Sequence, residues 1–186
     1  MRKGTLYVFT GPSGAGKGTL LSEIRKGDDR LFLSISATTR APRPGEIDGV
    51  HYYFLKKADF ENKISENAFL EYAGYVDNYY GTLAAPVDRM LEDGKDVILE
   101  IEVQGAMQVK TKRPDAVMVF IAPPSFEELA ARLRGRGTED EEKVQKRLSI
   151  AQQELKSIDR FDFVVVNDEI ERAARELRAI IDARRA

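Results

Sequence analysis

The sequence predicts an α/β fold, a parallel sheet flanked by helices, on three observations. Short apolar runs bounded by turn residues alternate with stretches whose apolar residues recur every three or four positions, the signature of strands alternating with helices. The runs are continuous rather than alternating with polar residues, Ala116–Ile121 most clearly, which suits a sheet covered on both faces. A glycine-rich loop joins the first run to the first helical stretch.

Taken in order, Thr5–Thr10 (TLYVFT) reads as a short buried strand and Gly11–Thr19 (GPSGAGKGT) as the loop after it. Leu20, Leu21 and Ile24 then fall at helical spacing, so Lys17 stands where the helix begins. Leu31–Ile35 is a second strand. Pro42, Pro44, Gly45 and Gly49 exclude helix from the loop that follows, and His51–Leu55 is aromatic and strand-like. Asp59 is expected to cap a short helix that buries Phe60 and Ile64. Phe69–Val76 reads as strand and Asn78–Thr82 as a turn. A helix runs from Pro86 to Glu92, with Val87, Met90 and Leu91 apolar and Gly94 ending it. Val97–Val103 is a strand carrying Glu100 and Glu102 on one face, where buried acids need partners. Pro123 and Pro124 stop the strand Ala116–Ile121, and Ser125 with Glu128 forms a capping box. Phe126, Leu129, Ala130 and Leu133 share the face of the next helix, which breaks at Gly135-Arg136-Gly137. Val144, Leu148, Ala151, Leu155 and Ile158 mark another helix, Phe161–Val166 a last strand, and Ile170, Ala173, Leu177 and Ile180 a closing helix.

Two stretches interrupt the alternation. Ser36–Leu83 is rich in aromatics, arginines and turn residues, and Ser125–Asp159 is helical and densely charged. Both read as insertions at the carboxyl edge of the sheet, where ligands bind in such folds. A chain of 186 residues suits one domain carrying inserted subdomains. The net charge of −2 leaves no electrostatic footprint for nucleic acid. The lack of cysteine excludes disulfides, thiolate metal sites and cysteine nucleophiles. No signal peptide precedes the first strand and no apolar run approaches membrane-spanning length, so a cytoplasmic protein without membrane partners is expected. The single histidine, His51, lies in a Tyr/Phe-rich stretch and reads as structural.

The loop is a phosphate cradle. Its glycines let consecutive backbone N–H groups turn inward, the helix N-terminus adds positive partial charge, and Lys17 adds a full charge. A polyphosphate, ATP, is the expected ligand. An ordinary strand–helix turn would not need four glycines and a lysine within eight residues. The usual pattern, G-x-x-x-x-G-K-[ST], places a hydroxyl on magnesium. Here Gly18 follows Lys17 and Thr19 comes one position late, so the metal is expected to rest on phosphates and water. Arg40 and Arg43 flank Ala41 and Pro42 in a rigid loop where long basic side chains can converge on one phosphate, and Arg136 lies between two glycines. Arg132 and Arg134 read as a solvated face. Phosphoryl transfer needs positioning and positive charge more than covalent help, and a phosphate acceptor needs no general base.

Several segments together resemble guanylate kinase. They are Gly11–Thr19, Ser34–Arg43 (SISATTRAPR) with Gly45 and Glu46, Asp48 and Gly49 with Tyr52, and Phe69–Glu71. With them go Asn78–Thr82, Leu99–Gly105, Ile121–Ser125, Arg134–Thr138 and Val166–Asp168. The resemblance runs in order from about residue 4 to residue 182. It implies a P-loop NTPase-type core (1–35, 84–124 and 160–186), a GMP-binding insertion (36–83) and a helical lid (125–159). It also implies transfer of the ATP γ-phosphoryl group to GMP, with dGMP a further acceptor and Mg²⁺ accompanying ATP, in purine nucleotide metabolism. Gly11, Pro12, Ser13, Gly14, Ala15, Gly16, Lys17, Gly18 and Thr19 would then hold ATP phosphates, and Asn167 would lie near adenine. Arg40, Arg43, Tyr52 and Tyr80 would hold the GMP phosphate, and Glu71 would read guanine with hydroxyl contacts from Ser36 and Thr82. A carboxylate accepts the paired N1–H and N2–H donors that adenine does not present. Glu100 and Glu102 would face guanine or the hydration shell of magnesium. Lys17, Arg40, Arg136 and Arg147 would act on the transferring phosphate, the last two with the lid. Tyr53 and Tyr79 read as structural.

Two other classes compete. A guanylate-kinase-like protein-binding module would be expected to lose the loop lysine or the lid arginines, yet Lys17, Arg136 and Arg147 are present. A kinase for another phosphorylated acceptor would share the core but would not call for Glu71 beside Ser36 and Thr82.

Overall fold

The computed structural model describes residues 3–75, 77–135 and 140–185. The chain divides into two compact units, one of Met1–Leu6, Arg30–Leu99 and Gln104–Ala116, the other of Tyr7–Asp29, Glu100–Val103 and Val117–Ala186. Residues 36–83 fall within the first unit and 125–159 within the second.

The second unit begins within β1 (Leu6–Thr10), whose five residues are all buried. β1 pairs in parallel with β8 (Val117–Ala122), which pairs in parallel with β9 (Phe163–Val166). α1 (Lys17–Arg25) buries Leu20, Leu21 and Ile24, and α7 (Ile170–Arg185) buries Ala173, Ala174, Leu177 and Ile181. The predicted apolar positions hold in α1; in α7 Ala173 and Leu177 hold, Ile170 is exposed, and Ile181 is buried where Ile180, half-buried, was expected. α5 (Phe126–Gly135) and α6 (Glu141–Leu155) close on a cluster of Leu129, Ala130, Leu133, Val144, Leu148 and Ala151, the spacing anticipated for one apolar stripe on each helix. The Ser125 hydroxyl accepts from the Glu128 N–H at 3.0 Å. Only this half of the capping box is described, for the Glu128 carboxylate instead takes Arg132 at 3.1 Å.

In the first unit β2 (Leu31–Leu33) pairs in parallel with β7 (Asp96–Glu100). A second sheet, ordered β4-β3-β6-β5, contains β3 (Ala37–Thr38), β4 (Tyr53–Phe54), β5 (Phe69–Tyr75) and β6 (Asn78–Leu83). α2 (Lys57–Ser65) packs beneath it: Phe60 stacks on Phe69 at 4.3 Å and on Tyr79 at 5.2 Å between ring centroids. Tyr53 joins that cluster, so Tyr53 and Tyr79 are structural, as expected.

Several elements differ from expectation. The helix expected through Ile158 ends at Leu155, and Ile158 opens a separate 3-10 turn, Ile158–Arg160. Asn78–Thr82 is not a turn but most of β6, antiparallel to β5. Turn propensity at Asn78 and Gly81 yields to strand pairing there, and Gly81 is required because a Cβ would lie 2.7 Å from the Glu71 carbonyl oxygen. Asp59 does not cap α2. The cap position is Lys56, and Asp59 sits inside the first turn, where its charge complements the helix dipole. β7 stops at Glu100, and Val103 opens α4 (Val103–Lys112), a helix to which the sequence gives no strong apolar signal because its buried face is Gly105, Ala106 and Val109. α3 (Ala84–Glu92) buries Val87 and Leu91 but leaves Met90 37% exposed. No described helix is long and apolar enough to cross a membrane.

Candidate functional site

Residues 11–16 form the loop between β1 and α1, and Lys17, Gly18 and Thr19 of the predicted loop are the first residues of α1. Gly11 has φ 151°, and a Cβ there would lie 2.1 Å from the Ile121 carbonyl oxygen, so the loop crosses the end of β8 too closely for any side chain. Gly16 takes the left-handed position ahead of α1 (φ 80°), with the Asn167 Nδ2 only 2.5 Å from where a Cβ would be. A chain bent this way turns amide groups toward a common centre. Lys17, the first residue of α1, reaches back across the loop and donates through Nζ to the carbonyls of Gly11 and, at 3.1 Å, Pro12. Arg147, on α6, donates to the Ser13 hydroxyl at 3.2 Å. Beyond its chain neighbours and its own helix backbone, no atom of the described residues lies within 4 Å of a Cβ built on Gly18, so the residue in the usual hydroxyl position faces open space. Thr19 is exposed.

A cleft of about 480 Å³ opens beside the loop, lined by Gly16, Thr19, Arg132, Asn167, Asp168 and Ile170 among others. Asn167 is 4% exposed; its Nδ2 donates to the Ala15 carbonyl at 2.7 Å, and its Oδ1 is buried without a hydrogen-bond partner among the described residues. Arg132 corrects the sequence expectation of a solvated face. It forms part of the cleft wall, donating to the Asn167 carbonyl at 3.3 and 3.4 Å while Glu128 holds its Nε. Arg134 does behave as a surface residue, paired with Glu141 at 2.9 Å. That pairing, with help from Gln145, holds the Glu141 carboxyl at about 2.

Glu100 and Glu102 are both exposed, contrary to the expectation of buried acids on one strand face, because the strand ends at Glu100 and the chain turns away into α4. Glu154 is the carboxyl missed by the sequence. It is half-buried on α6, and burial raises its pKa, with Lys17 opposing and Glu102 adding to the rise. Arg136 and the Gly137 of the predicted hinge lie outside the described residues.

The acceptor candidates gather on the four-stranded sheet of the first unit. Arg40 donates to Glu46 at 2.8 Å and lies over the Tyr52 ring at 5.5 Å. The Tyr52 and Tyr80 rings meet edge-on at 6.3 Å. Hydrogen bonding to Glu46 first, and to Tyr80 as well, raises the Arg40 pKa further. Glu46 also accepts the Arg43 backbone N–H at 2.7 Å, and Arg40 with this N–H holds its carboxyl at about 2. The sequence did not single out Glu46 as the residue that fixes both arginines; a lone acid after Pro44 and Gly45 carries no signal of its partners. The Arg43 side chain is exposed. His51 accepts the Ile47 N–H through Nδ1 at 3.0 Å, a loop-shaping role. Glu71, on β5, is only 7% exposed, and Thr82 opposite it on β6 donates to its Oε1 at 2.6 Å. Ser36 is half-buried, its carbonyl accepting from Tyr53 N–H at 2.9 Å. Arg40, Tyr52 and Tyr80 therefore form one cluster, Glu71 and Thr82 a second, and Lys17, Arg147 and Asn167 surround the loop.

This arrangement, a glycine loop with its lysine in one unit and an arginine–tyrosine cluster with a buried carboxylate in the other, agrees with the comparisons with known proteins. The family model described as guanylate kinase matches residues 3–184. The chain is similar to the guanylate kinase of Carboxydothermus hydrogenoformans, 52% identical over 183 residues and covering 98% of this chain and 90% of that one. It is similar to a guanylate kinase of Thermus thermophilus, 53% identical over 183 residues, with 98% and 83% covered. A crystal structure of guanylate kinase from Anaplasma phagocytophilum superposes with a TM-score of 0.75 at 29% identity, over 98% of this chain and 87% of that chain. The chain belongs to the guanylate kinase family.

Proposed function

We infer that this chain works as its family does, transferring the γ-phosphoryl group of ATP to GMP to give ADP and GDP, with dGMP a further acceptor. The observation that carries the acceptor reading is the layout of β6. Tyr80 and Thr82 stand two residues apart on one strand, hence on one face. Tyr80 meets Tyr52 beside Arg40, and Thr82 holds the buried Glu71. One strand thus carries both a phosphate-binding cluster and a base-reading carboxylate, which suits a nucleoside monophosphate.

In this reading residues 36–83 are the GMP-binding insertion, 125–159 the lid, and the remainder the core. Backbone N–H groups of Gly11–Thr19 would hold the ATP phosphates. Lys17 would leave its two loop carbonyls for the β- and γ-phosphate oxygens. The cleft by Arg132 and Asn167 would take adenine. Arg40, Arg43, Tyr52 and Tyr80 would bind the GMP phosphate, and Glu71, with Thr82 and Ser36, its base. A GMP phosphate oxygen then attacks the γ-phosphorus in line, and the bond to the β-bridging oxygen breaks, leaving ADP. Lys17, Arg40 and Arg147, joined by Arg136, would stabilise the charge on the moving group.

Magnesium would arrive with ATP. Among the described residues no group of three or more His, Cys, Asp or Glu could cage a metal, and Gly18 offers no ligand. Mg²⁺ is commonly held by substrate phosphates and waters with one or two carboxylates, so the exposed Glu100 and Glu102 fit contacts to its water shell. Bound there, the ion would neutralise phosphate charge. A cytoplasmic place of action belongs to the same proposal.

The test is ADP release with Mg-ATP when GMP, AMP, CMP and UMP are offered in parallel. Fast turnover with GMP alone is expected. Turnover with another acceptor would remove the Glu71 assignment, and no turnover from folded protein would remove the kinase reading.

A further inference from the structure

Helix α4 carries a glycine where helix stability disfavours one. Gly105 is the third residue of the helix, a place where alanine would be the more stable residue. A local rule broken in this way points to a constraint from elsewhere. Here it is Glu71: a Cβ on residue 105 would lie 2.8 Å from Glu71 Oε2 and 3.4 Å from its Cδ and Cγ. The carboxylate is seated directly on the helix backbone.

Two further residues of the same helix face reach the same strand. Gln108 makes a two-way contact with Tyr72, accepting its N–H at 3.1 Å and donating to its carbonyl at 3.0 Å. Lys112 donates to the Phe69 carbonyl at 2.6 Å. Positions 105, 108 and 112 share one face at spacings of three and four. β5 is an edge strand, whose outward backbone groups have no strand to pair with. The side-chain amide of Gln108 stands in for that strand. The β5–β6 register also shifts between Phe69 and Glu71, an irregularity of the kind that re-aims a side chain. Glu71 is therefore fixed from two sides, by Thr82 on one oxygen and by Gly105 beneath the other.

We propose that Gly105 and Gln108 are specificity-determining positioning residues, which set the Glu71 carboxylate where it distinguishes guanine from other bases. This rests on the reading of Glu71 as the base-reading residue. Neither residue is assigned contact with substrate. They act by holding β5 and its carboxylate.

The test compares wild type, Gly105→Ala, Gln108→Ala and Glu71→Gln for turnover with GMP and with IMP, which lacks the 2-amino donor. Gly105→Ala is expected to cut the GMP-over-IMP preference in kcat/KM about tenfold, the scale of one displaced hydrogen bond to a charged group. Gln108→Ala should do the same about threefold. The KM for ATP should stay within about twofold in both, since the loss is confined to acceptor binding. A general loosening of the fold would lower GMP and IMP together, or move the KM for ATP in parallel, and either result overturns the proposal. Should Gly105→Ala not fold, Gln108→Ala decides alone by the same criteria. If Glu71→Gln lowers the preference and the α4 variants do not, the positioning role falls while the reading of Glu71 stands. If Glu71→Gln leaves the preference unchanged, that reading falls, and the positioning role with it.

Discussion

The loop with the start of α1 (residues 11–19) and the sheet that carries Arg40, Tyr52, Glu71 and Tyr80 are both read as nucleotide sites, yet they are built from different materials. The loop uses backbone. Its shape is set by glycines against Ile121 and Asn167, and its one charged side chain, that of Lys17 at the start of α1, folds back onto the loop's own carbonyls. The acceptor sheet uses side chains drawn from separate segments, each held by another side chain: Arg40 by Glu46, Glu71 by Thr82. A backbone site is compact in sequence and, at Gly11 and Gly16, has no room for a side chain. A side-chain site is dispersed, and it can be weakened in steps by removing its supports.

Substitutions can sharpen that contrast. The largest effect is expected at Lys17→Ala, which removes the loop's only full charge. A fall in kcat of about 100- to 1,000-fold is anticipated, with the circular dichroism spectrum unchanged; near-normal kcat would break the account of the loop. Next is Glu46→Gln, which takes the anion from between the two arginines and should raise the KM for GMP about tenfold while sparing that for ATP. The pH dependence follows from the Glu46 carboxyl, depressed from the ordinary 4.5 to about 2. Its charged contact is complete above the ordinary value and is lost as pH falls from about 4.5 through about 2. The ratio of wild-type to Glu46→Gln affinity should therefore stay constant from about pH 5 to about pH 8, as titration calorimetry can measure. A smaller effect is expected at Arg132→Ala, which opens the cleft wall: a rise of about threefold in the KM for ATP with that for GMP unchanged. Smallest is Arg134→Ala, whose exposed pair with Glu141 should shift the melting temperature by less than about 1 °C.

The same contrast explains which parts of the molecule are legible in the sequence. The loop was legible because strand, glycines, lysine and helix are contiguous, and Leu20, Leu21 and Ile24 announce the helix face that is buried. The paired helices α5 and α6 were legible from their apolar spacing. The strand Asn78–Leu83 was hidden, since turn-forming residues become strand only when β5 lies alongside. α4 was hidden because its buried face is Gly105, Ala106 and Val109, too small to give a strong period. Arg40 and Arg43 were legible from their rigid proline loop, whereas Tyr52, Glu71, Tyr80 and Thr82 were named by resemblance. The supporting role of Glu46 was hidden because a lone acid in a loop does not announce its partners, and those of Gly105 and Gln108 because their partners on β5 lie more than 30 residues away. Arg132 looked like a surface charge for the same reason, its partner carbonyl being 35 residues away.

The most direct test of a division between a backbone donor site and a side-chain acceptor site is calorimetric binding of ATP and of GMP, separately, to Lys17→Ala and Glu71→Gln. Glu71→Gln should weaken GMP by about tenfold or more and leave ATP within about twofold, and Lys17→Ala should do the reverse. Equal losses of both nucleotides in either variant would contradict the division and the roles assigned to the two residues.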